Sequence, residues 1–250
     1  MLSSSGFIIL AVAVFIVAVL YSSVGHGGAS GYLAVLTLFS FSVSQVAGTA
    51  LVLNVFVGGL ALYSYARAGH LRPALLWPFV LASVPMAFVG GAFRFNEQTY
   101  RFVLGAALAL TALRLVQRFS PTAGEDSVRP VSLHISLPVG GGIGLLAGMV
   151  GLGGGVFLSP VMILMRWATV KQTSAVAAAF IVLNSASGLA GRFIGGAGSG
   201  LSLLWLVPIA ALGGWIGSHL GANKLPALAL RRVLAVVLLV AAAKLFVILH

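Results

Sequence analysis

The chain has 250 residues, of which 60% are hydrophobic and 7% charged; it has no cysteine, and 14 Lys and Arg against three Asp and Glu give a net charge of +11. A chain this apolar falls outside the soluble globular class and reads as an all-α polytopic membrane protein. The absence of cysteine excludes disulfides, thiolate chemistry and Cys-ligated metals, and basic residues scattered between apolar spans without interleaved aromatics argue against a nucleic-acid face.

The first apolar run, Gly6 to Ser22, has no basic residue before it and only a glycine-rich stretch after it. It therefore reads as part of the mature protein and not as a signal peptide. In chain order the expected segments are Phe7–Val24, Gly31–Phe41, Gln45–Ala66, Pro73–Ala92, Tyr100–Gln117, Leu133–Val150, Phe157–Met165, Lys171–Phe193, Leu201–Leu220 and Leu228–Leu249. Most can cross a hydrocarbon core about 30 Å thick, but Gly31–Phe41 and Phe157–Met165 are too short.

Those two short pieces hold matching places in two halves. Val24-Gly25-His26-Gly27-Gly28 pairs with Val150-Gly151-Leu152-Gly153-Gly154, Leu53-Asn54 with Leu183-Asn184, and Arg101-Phe102-Val103-Leu104 with Arg231-Arg232-Val233-Leu234. The expected organisation is a first transmembrane repeat over 1–119, a cytoplasmic linker over 120–131 that carries Glu125 and Asp126, and a second repeat over 132–250. Basic residues gather on one set of loops: Arg67 and Arg72, then Arg114, Arg118 and Arg129, then Arg166 and Lys171, then Lys224, Arg231 and Arg232. The opposite side holds Arg94, Arg101, Arg192 and Lys244. The richer side is expected to be cytoplasmic, which puts both termini in the periplasm and gives the two repeats opposite membrane orientation, as in many secondary transporters.

Non-helical backbone inside a membrane is tolerated only where protein or a watery cavity surrounds it. Gly25, Gly27 and Gly28 in one half, and Gly151, Gly153, Gly154 and Gly155 in the other, are therefore expected to break a helix and start a short or re-entrant one. Two such starts converging near the bilayer centre would offer N–H groups to an anion without a buried cation. Small-residue packing between helices is the plainer alternative for any single glycine.

His26 is a candidate anion donor or proton carrier, or a simple cap. Ser30, Tyr32 and Ser159 supply hydroxyls at the short helices, and Asn54 and Asn184 are amides that contact the anion or brace the breaks. Lys171 and Arg192 sit near the expected inner and outer mouths, and His219 and the four tryptophans read as packing or interface residues. The three acids, Glu97, Glu125 and Asp126, fall in loops, so any proton coupling would run through His26 or through a proton that the anion carries itself. No metal cluster or cofactor is expected.

The two runs SVGHGGASGYLAVL and MVGLGGGVFLSPVM resemble the paired signatures of the sulfite exporter TauE/SafE family, also called the four-toluene sulfonate uptake permease family. The resemblance implies a bacterial inner-membrane permease for sulfite, organosulfonates or related sulfur oxyanions, with the glycine runs lining the translocation site. The first run departs from the usual GxGGG, having His26 at the variable place and Ala29 for the last glycine. An anion channel built on the same site is the main alternative. An intramembrane serine protease is the remote one, because GASG at Gly28–Gly31 would need a histidine base such as His219 near Ser30.

Overall fold

The computed structural model describes residues 4–39, 41, 43–93, 129–196, 203–226, 229 and 232. The expected spans Tyr100–Gln117 and Leu228–Leu249, nearly all of the linker and the acids Glu97, Glu125 and Asp126 lie outside the described residues or almost entirely so. The helices are α1 (Ser4–Ser22), α2 (Ala29–Leu38), α3 (Val43–Arg67), α4 (Pro73–Ala92), α5 (Leu133–Val150), α6 (Gly155–Leu164), α7 (Val170–Ile194) and α8 (Leu206–His219), the last running into a π-helical turn at Leu220–Lys224. Among them α1, α3, α4, α5 and α7 are long and apolar enough to cross a membrane.

Boundaries follow local chemistry. α4 starts at Pro73, which supplies the fixed φ of a first helical turn and needs no partner for the N–H it lacks. α5 stops at Gly151, which adopts the left-handed conformation at φ 83°. α7 opens with a capping box in which Thr169 Oγ1 accepts from the Gln172 N–H at 3.3 Å and Gln172 Oε1 accepts from the Thr169 N–H at 3.1 Å. Thr169→Ala removes one arm of that box and is expected to cost about 1 kcal/mol, read as a fall of about 2–4 °C in thermal unfolding of the purified protein. The eighth helix begins later than the expected Leu201, at Leu206, after a separate turn over Leu203–Trp205, and Pro208 falls in its first turn, where its missing N–H costs nothing.

The two long helices α3 and α7 form the centre. Two-thirds of their apolar windows are buried (67% each), against 28–39% for α1, α4 and α5. The outer helices turn Ile8, Ile9, Trp77, Leu81 and Trp215 outward, a surface suited to hydrocarbon and costly in water. α3 and α7 run antiparallel, since Asn54 meets Ser185 while Gly58 meets Ile181 and Val182.

Small residues bring the outer helices on. On α5, Gly140, Gly144 and Gly148 lie against the Phe79, Ser83 and Ala87 carbonyls of α4, and the constant spacing means that these helices run parallel. Gly213, Gly217 and Gly221 meet the Phe15 and Val19 carbonyls of α1 and the Ser23 carbonyl just past its end in the same way. Such contacts let backbones approach where a larger side chain would hold them apart. α4 also runs parallel to α7, Ser187 Oγ donating to the Val84 carbonyl at 2.6 Å, and α8 parallel to α3, where Ser64 and Ser218 share a 2.9 Å hydrogen bond.

Thus α1, α3 and α8 point one way and α4, α5 and α7 the other. Among the described helices of the two halves, α4 packs on α5 and α7 of the second, and α8 on α1 and α3 of the first. Arg67, Arg72, Arg129, Arg166, Lys171 and Lys224 consequently lie at the end where α3 and α8 finish and α4, α5 and α7 begin, with Arg192 at the opposite end.

Candidate functional site

Each short helix follows a glycine break. The chain leaves α1 at Ser22, turns through Gly25 (φ 76°) and Gly28 (φ 96°), and starts α2; it leaves α5 at Val150, turns through Gly151, Gly153 and Gly154, and starts α6. Every residue from Tyr21 to Leu33 and from Val150 to Pro160 is buried. Helical bonding resumes with Tyr32 N–H donating to the Gly28 carbonyl at 2.9 Å and Phe157 N–H to the Gly154 carbonyl at 3.1 Å. The amides ahead of these have no carbonyl one turn back, so each helix start carries partial positive charge.

The breaks are seated reciprocally on the central pair. Gly25 lies against the Ser174 backbone near the start of α7, and Gly151 against Ala47 near the start of α3. Farther along each break the two converge. The Asn54 carboxamide fits between Gly27, whose missing Cβ leaves room for Oδ1, and Gly153, whose missing Cβ leaves room for Nδ2. Asn54 Nδ2 also donates to Ser185 Oγ at 3.3 Å, so one amide in the middle of α3 touches both breaks and α7.

A second link joins the breaks, for His26 Nε2 and Ser159 Oγ share a hydrogen bond of 2.8 Å. His26 is 2% exposed. Tyr32 is fully buried with its hydroxyl beside Gly28, and neither that hydroxyl nor Asn54 Oδ1 has a hydrogen-bond partner among the described residues. Orphaned polar atoms are uncommon in a buried interior and call for an explanation.

The other candidates sit in supporting positions. Ser30 donates to the Tyr21 hydroxyl at 2.8 Å and stays within the first break. Gly154 packs on Phe180 and Ile143, and Gly155 on Ile181. Asn184 is buried, and its Nδ2 donates one turn back to the Phe180 carbonyl at 2.8 Å. His219 is exposed and is engaged by Asn223, while Ser30 has Tyr21, so no serine–histidine pair forms at GASG among the described residues. Lys171 donates to the Ala222 carbonyl at 3.3 Å, and Arg192, only 7% exposed, donates to the Met149 carbonyl at 3.2 Å. Trp167 belongs to the core, against Phe79, and Trp205 stacks on Phe7.

Ser185 and Tyr21 were not expected. Ser185 follows Asn184 and so points about 100° around the helix from it, toward Asn54; only the antiparallel register of α3 and α7 reveals this. No group of three or more metal-binding side chains occurs among the described residues.

Residues 10–245 match the family described as sulfite exporter TauE/SafE. Over 243 residues the chain is 35% identical to the probable membrane transporter protein y4hK of Sinorhizobium fredii (strain NBRC 101917 / NGR234), covering 94% of this chain and 96% of that one. It is 27% identical over 242 residues to the probable membrane transporter protein YunE of Bacillus subtilis (strain 168), covering 86% and 87%. No solved structure matches.

Proposed function

We propose, from the premise that the chain belongs to the sulfite exporter TauE/SafE family of membrane transporters, that it carries sulfite, an organosulfonate or a related small sulfur oxyanion across the bacterial inner membrane by alternating access. The substrate sits where the starts of α2 and α6 approach each other, held by helix N–H groups and by the hydroxyl and amide groups of Tyr32, Ser159, Asn54 and Ser185. Backbone N–H groups at a helix start favour negative charge, and no lysine or arginine is needed between them.

The observation that carries this reading is the Asn54 carboxamide lodged between Gly27 and Gly153. Two breaks that share one centre can both contact one small ligand. The opposed directions of the two helix groups support a pair of inverted repeats, which could rock about that centre and expose it to one side at a time. The cluster of cations at one end supports placing that end, and the linker, in the cytoplasm. With the family established, the chain is a transporter and not an enzyme.

The test is flux of labelled sulfite, thiosulfate and methanesulfonate into proteoliposomes. A carrier is expected to show faster uptake when the same anion is loaded on the opposite side, because return of the loaded site is quicker than return of the empty one. Absence of flux for all three anions rejects the reading. Large single-channel currents without that acceleration would replace the carrier with a pore.

A further inference from the structure

We propose that His26 takes up one proton together with each anion and releases both on the other side, so that the chain is a proton–anion symporter; this rests on the transport reading above.

His26 lies at the meeting of the two breaks, 2% exposed, with the Gly155 backbone beside its ring and Nε2 bonded to Ser159. Its charge state is decided by what surrounds it. Of the titratable groups nearby, α1 supplies Tyr21 and α2 supplies Tyr32, both uncharged hydroxyls. α3 and α6 contribute the neutral Asn54 and Ser159. The charged residues of α7 stand in its first and last turns, Lys171 on the Ala222 carbonyl and Arg192 on the Met149 carbonyl. No aspartate or glutamate occurs among the described residues, since the three acids of the chain are Glu97, Glu125 and Asp126.

Among the described residues nothing anionic faces the His26 ring, so a buried imidazolium there has no countercharge until an anion is bound. An anion seated at the two helix starts supplies the missing countercharge at close range in a poorly screening interior. Protonation of His26 then favours anion binding by the same factor by which the anion favours protonation. The ring's lone pair accepts a proton from water on the side of entry, the anion–imidazolium pair crosses as a neutral unit, and the proton returns to water on the far side as the anion leaves. The empty site goes back uncharged.

Ser159 suits a ring that changes state. A hydroxyl donates to an imidazole lone pair or accepts from an imidazole N–H by rotating about its own bond, so the link between the breaks survives both protonation states. An ammonium in its place could only donate and would hold the neutral ring alone.

Two measurements test the proposal. Where methanesulfonate is transported, saturating methanesulfonate added to the purified full chain in weakly buffered detergent is expected to draw about one proton per chain from solution, and no proton uptake then overturns the proposal without any variant. In proteoliposomes with the membrane potential clamped near zero, a one-unit pH gradient is expected to drive about tenfold accumulation of methanesulfonate. His26→Gln, which keeps hydrogen-bonding capacity but takes up no proton, is expected to need more anion for half-maximal exchange and, at anion concentrations where exchange is measurable, to lose that accumulation. Where sulfite or thiosulfate moves better, the reading is protons carried per anion, one fewer in His26→Gln, so that protons brought by the anion itself cancel. Equal proton-to-anion ratios in the two proteins overturn this inference alone, whereas no flux of any of the three anions in the unaltered protein sinks the transport reading and this inference with it.

Discussion

Gly27→Leu and Gly153→Leu are each expected to lower anion flux in proteoliposomes by about a hundredfold or more, a penalty typical of displacing a positioned group by about an ångström. A side chain at residue 27 enters the space of Asn54 Oδ1, and one at residue 153 meets Ser185 Oγ and Asn54 Nδ2. Gly153 adds backbone strain, because its φ of 67° is left-handed and costs an L-residue about 1–2 kcal/mol. Neither clash is relieved by moving the end of a flexible chain, since the Asn54 amide is held between the two breaks. The comparison is Gly142→Leu: an added Cβ at Gly142 meets no heavy atom of the described residues within 4 Å, and flux there is expected to stay within about twofold. Purified yield and elution volume separate lost transport from lost protein. Normal flux in both break variants would remove the breaks from the pathway.

Gly144→Leu is expected to be the most damaging change to stability. The residue sits midway along the α4–α5 contact, where a Cβ would overlap the Ser83 carbonyl and crowd its Cα. The obstacle is backbone within a helix whose neighbouring contacts, Gly140 on Phe79 and Gly148 on Ala87, are equally close, so the two helices must separate along the whole seam. Overpacking of side chains alone costs about 1–3 kcal/mol, and with rigid backbone on both sides a loss of at least about 3 kcal/mol is expected, or about 10 °C in thermal unfolding. Gly141→Ala, one residue along, meets, among the described residues, Ala82 and Met86 at ordinary contact distances of 3.6 and 3.7 Å, and its midpoint is expected to shift by no more than about 2 °C. Equal stability of the two variants would contradict a seam set by backbone contact.

Local signals were legible in the chain where a single segment decides the outcome. Pro73–Ala92 and Leu133–Val150 fall where an apolar run meets a proline or a glycine, and their observed limits are those read from the sequence. The short α2 and α6 announce themselves by too few apolar residues after a glycine run. What depends on register between distant segments was not readable. His26 and Ser159 were each visible as polar residues in apolar surroundings, yet 133 positions separate them and only the packed structure joins them. Asn54 and Asn184 looked equivalent; one reaches across to the other half while the other bonds within its own helix, because Ser185 takes the place facing Asn54. The glycine stripes that run along α5 and α8 are equally silent in sequence, since their regular four-residue spacing acquires meaning only when a row of carbonyls lies opposite.

α4 and α8 pack across the two halves, which orders how the molecule can assemble. When α1 to α4 have been synthesised, α5 and α7, the helices on which α4 packs, have not, and α8, which packs on α1 and α3, comes later still. A polypeptide cut short before Leu206 would retain most of its spans and still leave its earliest helix without the neighbour that Gly213 and Gly217 bring to it, marking the truncated product for quality control.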